Sequence, residues 1–90
     1  MNVINDKNEN RFVLNVDGNE VYVLYTENKN TLELFSTYTP PAHRGKGFAE
    51  KVVRSAFNYA IKNNLSVIPT CWYVKKFVDN NSEYQNIIKQ

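Results

Sequence analysis

The first forty residues alternate apolar and polar side chains, which is the two-residue period of a strand that buries one face. The alternation falls in three segments, at residues 11–16, 19–27 and 31–39. Asp17 and Gly18 separate the first two segments, and both residue types accept the positive φ of a tight hairpin turn. Pro40 and Pro41 end the third segment because proline has no N–H to donate to a sheet. The pattern predicts an antiparallel meander of three strands.

Two finer expectations concern the third strand and the start of the chain. Strict alternation divides the third strand into two faces, one with Leu32, Leu34, Ser36 and Tyr38 and the other with Glu33, Phe35, Thr37 and Thr39. Residues 1–9 are mostly polar. They are expected to form either a frayed start or a short edge strand at residues 2–4.

From Phe48 onward the apolar period changes to steps of three and four residues, which is typical of a helix with one buried face. The repeating positions are Phe48, Ala49, Val52, Val53, Ala56, Phe57, Ala60 and Ile61. Asn63 and Asn64 are expected to end this helix, since asparagine tolerates the left-handed cap conformation. Residues 65–69 are apolar and β-branched, which predicts a buried strand. Because a helix precedes it, this strand should lie parallel to the third one.

Two short helices are predicted at the C-terminal end. The first covers the apolar positions between Cys71 and Val78, and the second begins at Ser82, where Gln85 completes a capping-box pattern. The expected fold class is therefore α+β, with a three-stranded antiparallel meander, a βαβ unit and short C-terminal helices. A chain of 90 residues is expected to form a single domain over residues 1–90.

Composition narrows the class of protein. The apolar fraction of 42% fits a globular chain, and no apolar run approaches the roughly 18 residues of a membrane helix. The only cysteine, Cys71, cannot form an internal disulfide, which agrees with a reducing compartment. We therefore expect a cytoplasmic protein that contacts no membrane, holds no metal and is a monomer or a weak dimer.

The charge is unevenly distributed along the chain. Residues 1–39 carry three Lys or Arg against six Asp or Glu, whereas residues 40–76 carry seven Lys or Arg against Glu50 alone. Such a basic segment favours an anionic partner. The alternative is a solvated helix face with a chance excess of one charge.

Residues 44–49, "RGKGFA", contain two of the three glycines of the chain and lie between a predicted strand and a predicted helix. The first N–H groups of a helix have no intrahelical acceptor, and the helix dipole adds partial positive charge there, so phosphate binds well at such a position. Arg44 and Lys46 would neutralise the phosphate, and Gly45 and Gly47 would let it approach the backbone. A glycine-containing helix cap with surface cations is the alternative. The P-loop pattern is absent, and the dinucleotide pattern is incomplete because Glu50 stands in place of its third glycine.

This hexapeptide resembles the pyrophosphate loop of the GNAT superfamily of N-acetyltransferases, Q/R-x-x-G-x-G/A, with Arg44, Gly47 and Ala49 at its fixed positions. The resemblance extends over roughly residues 11–88 to the small, single-domain Gcn5-like members of the superfamily. These carry a P-x-C-x-Y/F-V segment after the last strand and a short E-Y-x-x-I/L stretch near the end. The matching positions are Pro69, Cys71, Tyr73 and Val74, followed by Glu83, Tyr84 and Ile87.

The resemblance implies that acetyl-coenzyme A is the cofactor. Its pyrophosphate would lie on the loop residues, which are Arg44, Gly45, Lys46, Gly47, Phe48 and Ala49. Its pantetheine arm would lie along the preceding strand, where a backbone N–H of Thr37, Tyr38 or Thr39 would polarise the thioester carbonyl and the strand would splay from its neighbour. Many relatives have a histidine in an H-T-x-x-P run before the loop, but this chain has Ser36 there, and His43 does not occupy the same position.

Two residues are candidate catalytic groups. Cys71 follows directly on the end of a parallel strand, where open α/β sheets bind ligands, and its thiol could accept the acetyl group and pass it on. The alternative for Cys71 is a small buried residue. Tyr38, Tyr73 and Tyr84 could each protonate the leaving thiolate or only pack, and Tyr73 is chosen because it shares a segment with Cys71.

Five further side chains near these candidates have both a functional and a structural interpretation. Lys75, Lys76 and Phe77 are predicted to contact the adenosine 3′-phosphate and adenine, with a surface pair and a core aromatic as the alternative. Trp72 could line an acceptor pocket or belong to the core. His43 is expected in a surface loop, with a catalytic base as the alternative.

The resulting prediction is an N-acetyltransferase that binds acetyl-coenzyme A and transfers acetyl to an unidentified amine, on a small molecule or a protein. The alternatives are a non-catalytic acyl-coenzyme A-binding protein and an RNA- or protein-binding module. Nucleic acid is disfavoured as a partner because the overall charge of +2 is modest and no RNA-binding signature is present.

Overall fold

The computed structural model describes residues 2–89. Five strands and two α-helices follow one another along the chain. They are β1 (Ile4–Asp6), β2 (Arg11–Val16), β3 (Asn19–Glu27), β4 (Thr31–Tyr38), α1 (Phe48–Lys62), β5 (Ser66–Pro69) and α2 (Trp72–Asp79). Two 3-10 turns, at Pro41–His43 and Ser82–Ile87, connect β4 to α1 and follow α2.

The strands form one sheet in the order β1-β2-β3-β4-β5. Neighbours are antiparallel from β1 to β4, whereas β5 runs parallel to β4. The predicted meander, the βαβ unit and the α+β fold class are thereby confirmed. The start of the chain forms an edge strand, two residues later than the predicted position.

The turn between β2 and β3 follows from its two central residues. Asp17 and Gly18 have φ of 52° and 82°, so both adopt the left-handed conformation that matches the twist of a two-residue hairpin. The Oδ1 atom of Asn15 accepts a hydrogen bond from the Gly18 N–H at 3.0 Å. This turn fixes the register of β2 on β3, in which Val16 lies opposite Asn19.

The core lies between one face of the sheet and the two helices. Alternate strand residues such as Leu14, Val23 and Leu34 are fully or almost fully buried, and they meet the apolar stripe of α1. α2 packs beside α1, where the rings of Phe57 and Phe77 lie 5.3 Å apart. The stripe of α1 contains Val52, Val53, Ala56, Phe57 and Ala60, as the sequence period predicts.

The strict alternation predicted for β4 is wrong beyond Leu34. Leu34 pairs with Tyr25 and Ser36 pairs with Leu24, so Phe35 is an extra residue that forms a β-bulge. Because the bulge shifts the side-chain alternation by one residue, Thr37 lies on the helix-covered face, opposite buried Val23. Ser36 and Tyr38 therefore lie on the other face, apart from Leu34.

The last predicted helix is a 3-10 turn at Ser82–Ile87, which Asn81 precedes as the N-terminal flanking residue, so the expected Ser82 capping box is wrong. Tyr84 anchors this turn, since its ring packs on Phe57 at 5.0 Å. Asn64, with φ of 56°, ends α1 in the left-handed conformation as predicted. Within residues 2–89, neither helix has the length and hydropathy needed to cross a bilayer.

Candidate functional site

β4 and β5 separate where β5 ends. Their parallel pairing stops at Leu34 and Pro69, and the Cys71 N–H donates to the Leu34 carbonyl at 3.0 Å as the chain turns away from the sheet. Residues 35–38 of β4 continue beyond this point paired with β3 alone, among the described parts of the chain. A gap therefore opens beside β4, and it begins at the bulge.

A pocket of about 460 Å³ lies at this gap. Three segments line it: the end of β4, the loop into α1 and the first turn of α2. The lining residues are Thr37, Tyr38, Thr39, His43, Arg44, Gly45, Gly47, Phe48, Ala49, Trp72 and Tyr73. Nine of the fourteen residues predicted for the site meet here. Lys46, Cys71, Lys75, Lys76 and Phe77 are not among those that line it.

The loop at residues 44–47 places its two glycines where the backbone φ is positive. Gly45 and Gly47 have φ of 78° and 81°, and a Cβ at either position would meet no atom within 4 Å. Gly47 is the N-cap of α1, so the chain enters the helix from the left-handed region. The amides of the first turn of α1 therefore begin at the wall of the pocket. Helix geometry leaves these amides without intrahelical acceptors, which makes this wall suited to an anion.

Arg44 ties the loop to the end of β4. Its Nε donates to the Thr39 carbonyl at 3.0 Å. The side chain is exposed, and its charge lies at the pocket wall beside the start of α1. Lys46 is exposed and belongs to the same turn. Both cations flank the helix start, although Arg44 alone of the two lines the pocket.

His43 is buried, contrary to the expected surface position, with 8% of its surface exposed. The Pro41–His43 turn folds it inward, and its ring meets Phe48 edge-on with centroids 6.1 Å apart. Its Nε2 lies 3.1 Å from the Asn19 amide nitrogen, so in the neutral ring Nε2 accepts and Nδ1 carries the proton. Nδ1 has no partner among the described residues. The imidazole thus joins the loop to the start of β3.

Cys71 lies behind the pocket rather than in its wall. It is 8% exposed, and its Sγ is 3.6 Å from the Thr37 hydroxyl. Cys71 is also the N-cap residue of α2, and its carbonyl accepts hydrogen bonds from the Val74 and Lys75 N–H groups. Thr37 itself lines the pocket, so one side chain separates the thiol from the cavity.

The comparisons with known proteins decide the family. A family model described as GCN5-related N-acetyltransferase matches residues 11–87. The chain belongs to this family. Protein NATD1 of Danio rerio is 31% identical over 88 residues, which cover 94% of this chain and 80% of the relative. Human NATD1 is 29% identical over 82 residues, which cover 88% of this chain and 73% of the relative.

The fold is also that of a solved structure. An NMR structure from Staphylococcus aureus, described as a "GCN5-like putative N-acetyltransferase", superimposes with a TM-score of 0.70. The match covers 98% of this chain and 87% of the other, at 22% sequence identity. The family resemblance that the loop and the C-terminal segment indicated is confirmed by these comparisons.

Within this GCN5-related domain, Tyr73 has the protonation state that an acid requires. Burial raises the pKa of its phenol above the ordinary value, and the carboxylate of Glu50 raises the pKa further. Tyr73 is therefore a neutral O–H donor at physiological pH. Its side chain is half-buried and lines the pocket on the α2 side.

The predicted adenosine contacts lie outside the main pocket. Lys76 and Phe77 line a smaller cavity of about 230 Å³ together with Tyr73 and Glu50. Phe77 is 4% exposed, and its ring stacks on Tyr84 at 5.6 Å. Lys75 lies outside the lining of both cavities. Contacts of these residues with adenosine stay predictions.

Two lining residues, His43 and Trp72, were not chosen as site residues from the sequence. The signal for His43 was its place directly before the Arg44 loop, because a residue there lies beside the pocket. The signal for Trp72 was its position in the helical period of α2. The buried positions of α2 are Val74, Phe77 and Val78, and Trp72 does not share their stripe. It is 71% exposed at the pocket rim.

Proposed function

We propose that this protein binds acetyl-coenzyme A in the gap between β4 and β5 and transfers the acetyl group to an amine. The observation that carries the proposal is the coincidence of the gap with the start of α1. One pocket joins the unpaired side of residues 35–38 to the Gly45–Gly47 turn. In the cofactor, an extended acyl-pantetheine chain is linked to a pyrophosphate. The strand gap is suited to the extended chain, and the anion site at its end is suited to the pyrophosphate.

In this proposal the pyrophosphate lies on the amides of residues 45–49, and Arg44 and Lys46 neutralise its charge. The pantetheine arm follows β4. A backbone N–H of Thr37, Tyr38 or Thr39 polarises the thioester carbonyl, since the strand gap frees backbone groups on this side of β4. Exclusion of water from the gap would strengthen that hydrogen bond.

The reaction requires few groups. The amine nitrogen attacks the thioester carbonyl carbon, the C–N bond forms, and the C–S bond breaks as the intermediate collapses. The thiolate takes a proton from the phenol of Tyr73, and the resulting phenolate recovers a proton from the acylated nitrogen. The phenol of Tyr73 lines the pocket and is protonated at physiological pH, so it has a proton to give.

A relay through Cys71 is the second route. The thiol would attack the thioester and carry the acetyl group before the amine takes it. Because Cys71 is 8% exposed behind Thr37, the relay requires the Thr37 side chain to move aside. Cys71→Ala separates the routes: direct transfer predicts that activity is kept, and the relay predicts that it is abolished. An acetyl adduct on the wild-type thiol, detected by mass spectrometry after mixing with acetyl-coenzyme A, would support the relay.

The test of cofactor binding is calorimetry with a charge-matched pair of variants. Arg44→Gln and Lys62→Gln each remove one cation, the first at the pocket and the second at the exposed far end of α1. A charge-assisted hydrogen bond contributes about 1.5–3 kcal/mol, so Arg44→Gln should weaken binding by roughly 10- to 100-fold. Lys62→Gln should leave the affinity nearly unchanged. Equal effects of the two variants, or no binding at about 1 mM acetyl-coenzyme A, would contradict the proposal.

A non-catalytic acyl-coenzyme A-binding role is the second candidate. It is favoured by one observation: the described lining of the pocket contains no aspartate or glutamate that could act as a base. Release of coenzyme A in the presence of an amine distinguishes the two candidates. Binding without release would support the second.

A further inference from the structure

The charges around the pocket bear on the chemistry of the acceptor amine. The described lining holds a cation, Arg44, and a histidine, His43, but no carboxylate. Besides burial, the carboxylate of Glu50 raises the pKa of Tyr73, and this carboxylate is paired with Arg54 at 3.2 Å. Because Arg44 is assigned to the cofactor pyrophosphate, what bears on the acceptor is the missing carboxylate: the described lining gives a positively charged acceptor no partner.

Proton removal poses the same difficulty for an alkyl amine. Lysine-like amines have a pKa near 10.4, so they must lose a proton before they can attack. The imidazole of His43 belongs to the described lining, but its Nε2 is already engaged with the Asn19 amide. The described residues thus offer little help to an acceptor that arrives protonated.

Two aromatic side chains at the rim of the pocket are exposed to solvent. Trp72 is 71% exposed and Tyr38 is 42% exposed, and both line the pocket. Trp72 is held from one side by the ring of Tyr73, edge-on at 5.9 Å. A large indole placed in solvent at the mouth of a pocket offers a flat surface for stacking.

We propose that the acceptor is a planar aromatic amine, whose nitrogen is neutral at pH 7 and whose ring stacks on Trp72. This inference rests on the proposed acetyl transfer. The free amine attacks without a prior base, the C–N bond forms and the C–S bond breaks. The nitrogen becomes acidic once it is acylated and returns its proton to the Tyr73 phenolate. A neutral, planar ring matches an aromatic rim and a described lining that lacks a carboxylate.

The test compares three amines at equal concentration, with release of coenzyme A followed and the uncatalysed rate subtracted. The probes are 4-methoxyaniline, spermidine and Nα-acetyl-lysine amide. We expect kcat/KM for 4-methoxyaniline to exceed that for either alkyl amine by at least about tenfold. Faster transfer to an alkyl amine, or no transfer to any amine while acetyl-coenzyme A still binds, would overturn the inference. Failure of acetyl-coenzyme A to bind would instead refute the proposed function.

Variants at the rim provide a second readout. Trp72→Ala should lower kcat/KM for 4-methoxyaniline by roughly tenfold, since stacking on an aromatic side chain is lost, and Trp72→Phe should restore part of it. Calorimetry with acetyl-coenzyme A checks that each variant still binds the cofactor. Ile61→Ala is the matched control because Ile61 is also an exposed apolar side chain, at 49%, but lies on α1 outside the pocket lining. Equal effects of Trp72→Ala and Ile61→Ala would overturn the stacking role.

Discussion

Replacing Gly47 by alanine separates the structural role of the loop from its binding role. Gly47 has φ of 81°, and its Cβ would meet no atom within 4 Å, so the substitution adds backbone strain without a clash. Gly18 has φ of 82° with equally open surroundings, but it lies in the hairpin turn outside the pocket lining. The two glycines therefore form a matched pair.

The expected loss of stability follows from the backbone alone. Alanine in the left-handed region costs roughly 1–2 kcal/mol, and about 0.4–1 kcal/mol is offset because alanine restricts the unfolded chain more than glycine does. A net loss near 1 kcal/mol lowers the melting temperature of a domain of this size by roughly 4–8 °C. Gly18→Ala and Gly47→Ala should show similar decreases when their unfolding is followed by circular dichroism.

Binding should distinguish the two variants. In Gly47→Ala the new methyl group stands at the helix start, and the backbone relaxes to relieve the positive φ, so the first amides of α1 no longer converge on a phosphate. Losing one charge-assisted hydrogen bond corresponds to roughly 10- to 100-fold weaker binding of acetyl-coenzyme A. Calorimetry at a temperature where both variants are folded measures this difference. Unchanged affinity in Gly47→Ala, or an equal decrease in Gly18→Ala, would refute the role assigned to the loop.

Two further predictions concern stability. The Tyr59 hydroxyl donates to Glu27 at 2.7 Å, and this hydrogen bond, then burial, raises the pKa of Tyr59 to about 12. Unfolded tyrosine ionises near pH 10, so this stabilisation is complete below about pH 10 and is lost as the pH rises toward 12. In an ultraviolet titration Glu27→Gln should move one tyrosine to lower pH, and an unchanged titration would contradict the assignment. Phe57 is fully buried between the rings of Phe77 and Tyr84, so Phe57→Ala should lower the free energy of unfolding by about 3–5 kcal/mol. Urea denaturation measures that change, and a loss below about 1 kcal/mol would mean that Phe57 is not central to the core.

Local signals in the sequence were sufficient for the main elements of the fold. The hairpin at Asp17 and Gly18 follows from residue types that accept positive φ, and α1 follows from its apolar period. The bulge at Phe35 had no such signal because a bulge is decided by how β4 fits against β3, not by its own alternation. That one extra residue moved Thr37 onto the core side, where it meets Cys71.

The sequence predicted those site residues whose role depends on backbone conformation. It predicted less well the residues whose position depends on burial. Gly45 and Gly47 between a strand and a helix indicated the loop directly. The burial of His43 depends on the 3-10 turn after two prolines and on Asn19 in a distant strand, which sequence spacing does not show. Cys71 was expected at the site, but the fold sets it one side chain behind the cavity.

The most direct test of the account is an amide NMR titration with acetyl-coenzyme A, compared with desulfo-coenzyme A. Both ligands should shift the amides of residues 44–49. The thioester ligand alone should shift Thr37 and Cys71, which meet at the strand gap. Absence of shifts at residues 44–49 with either ligand would contradict the account, and the Arg44–Gly47 loop would then be only the cap of α1.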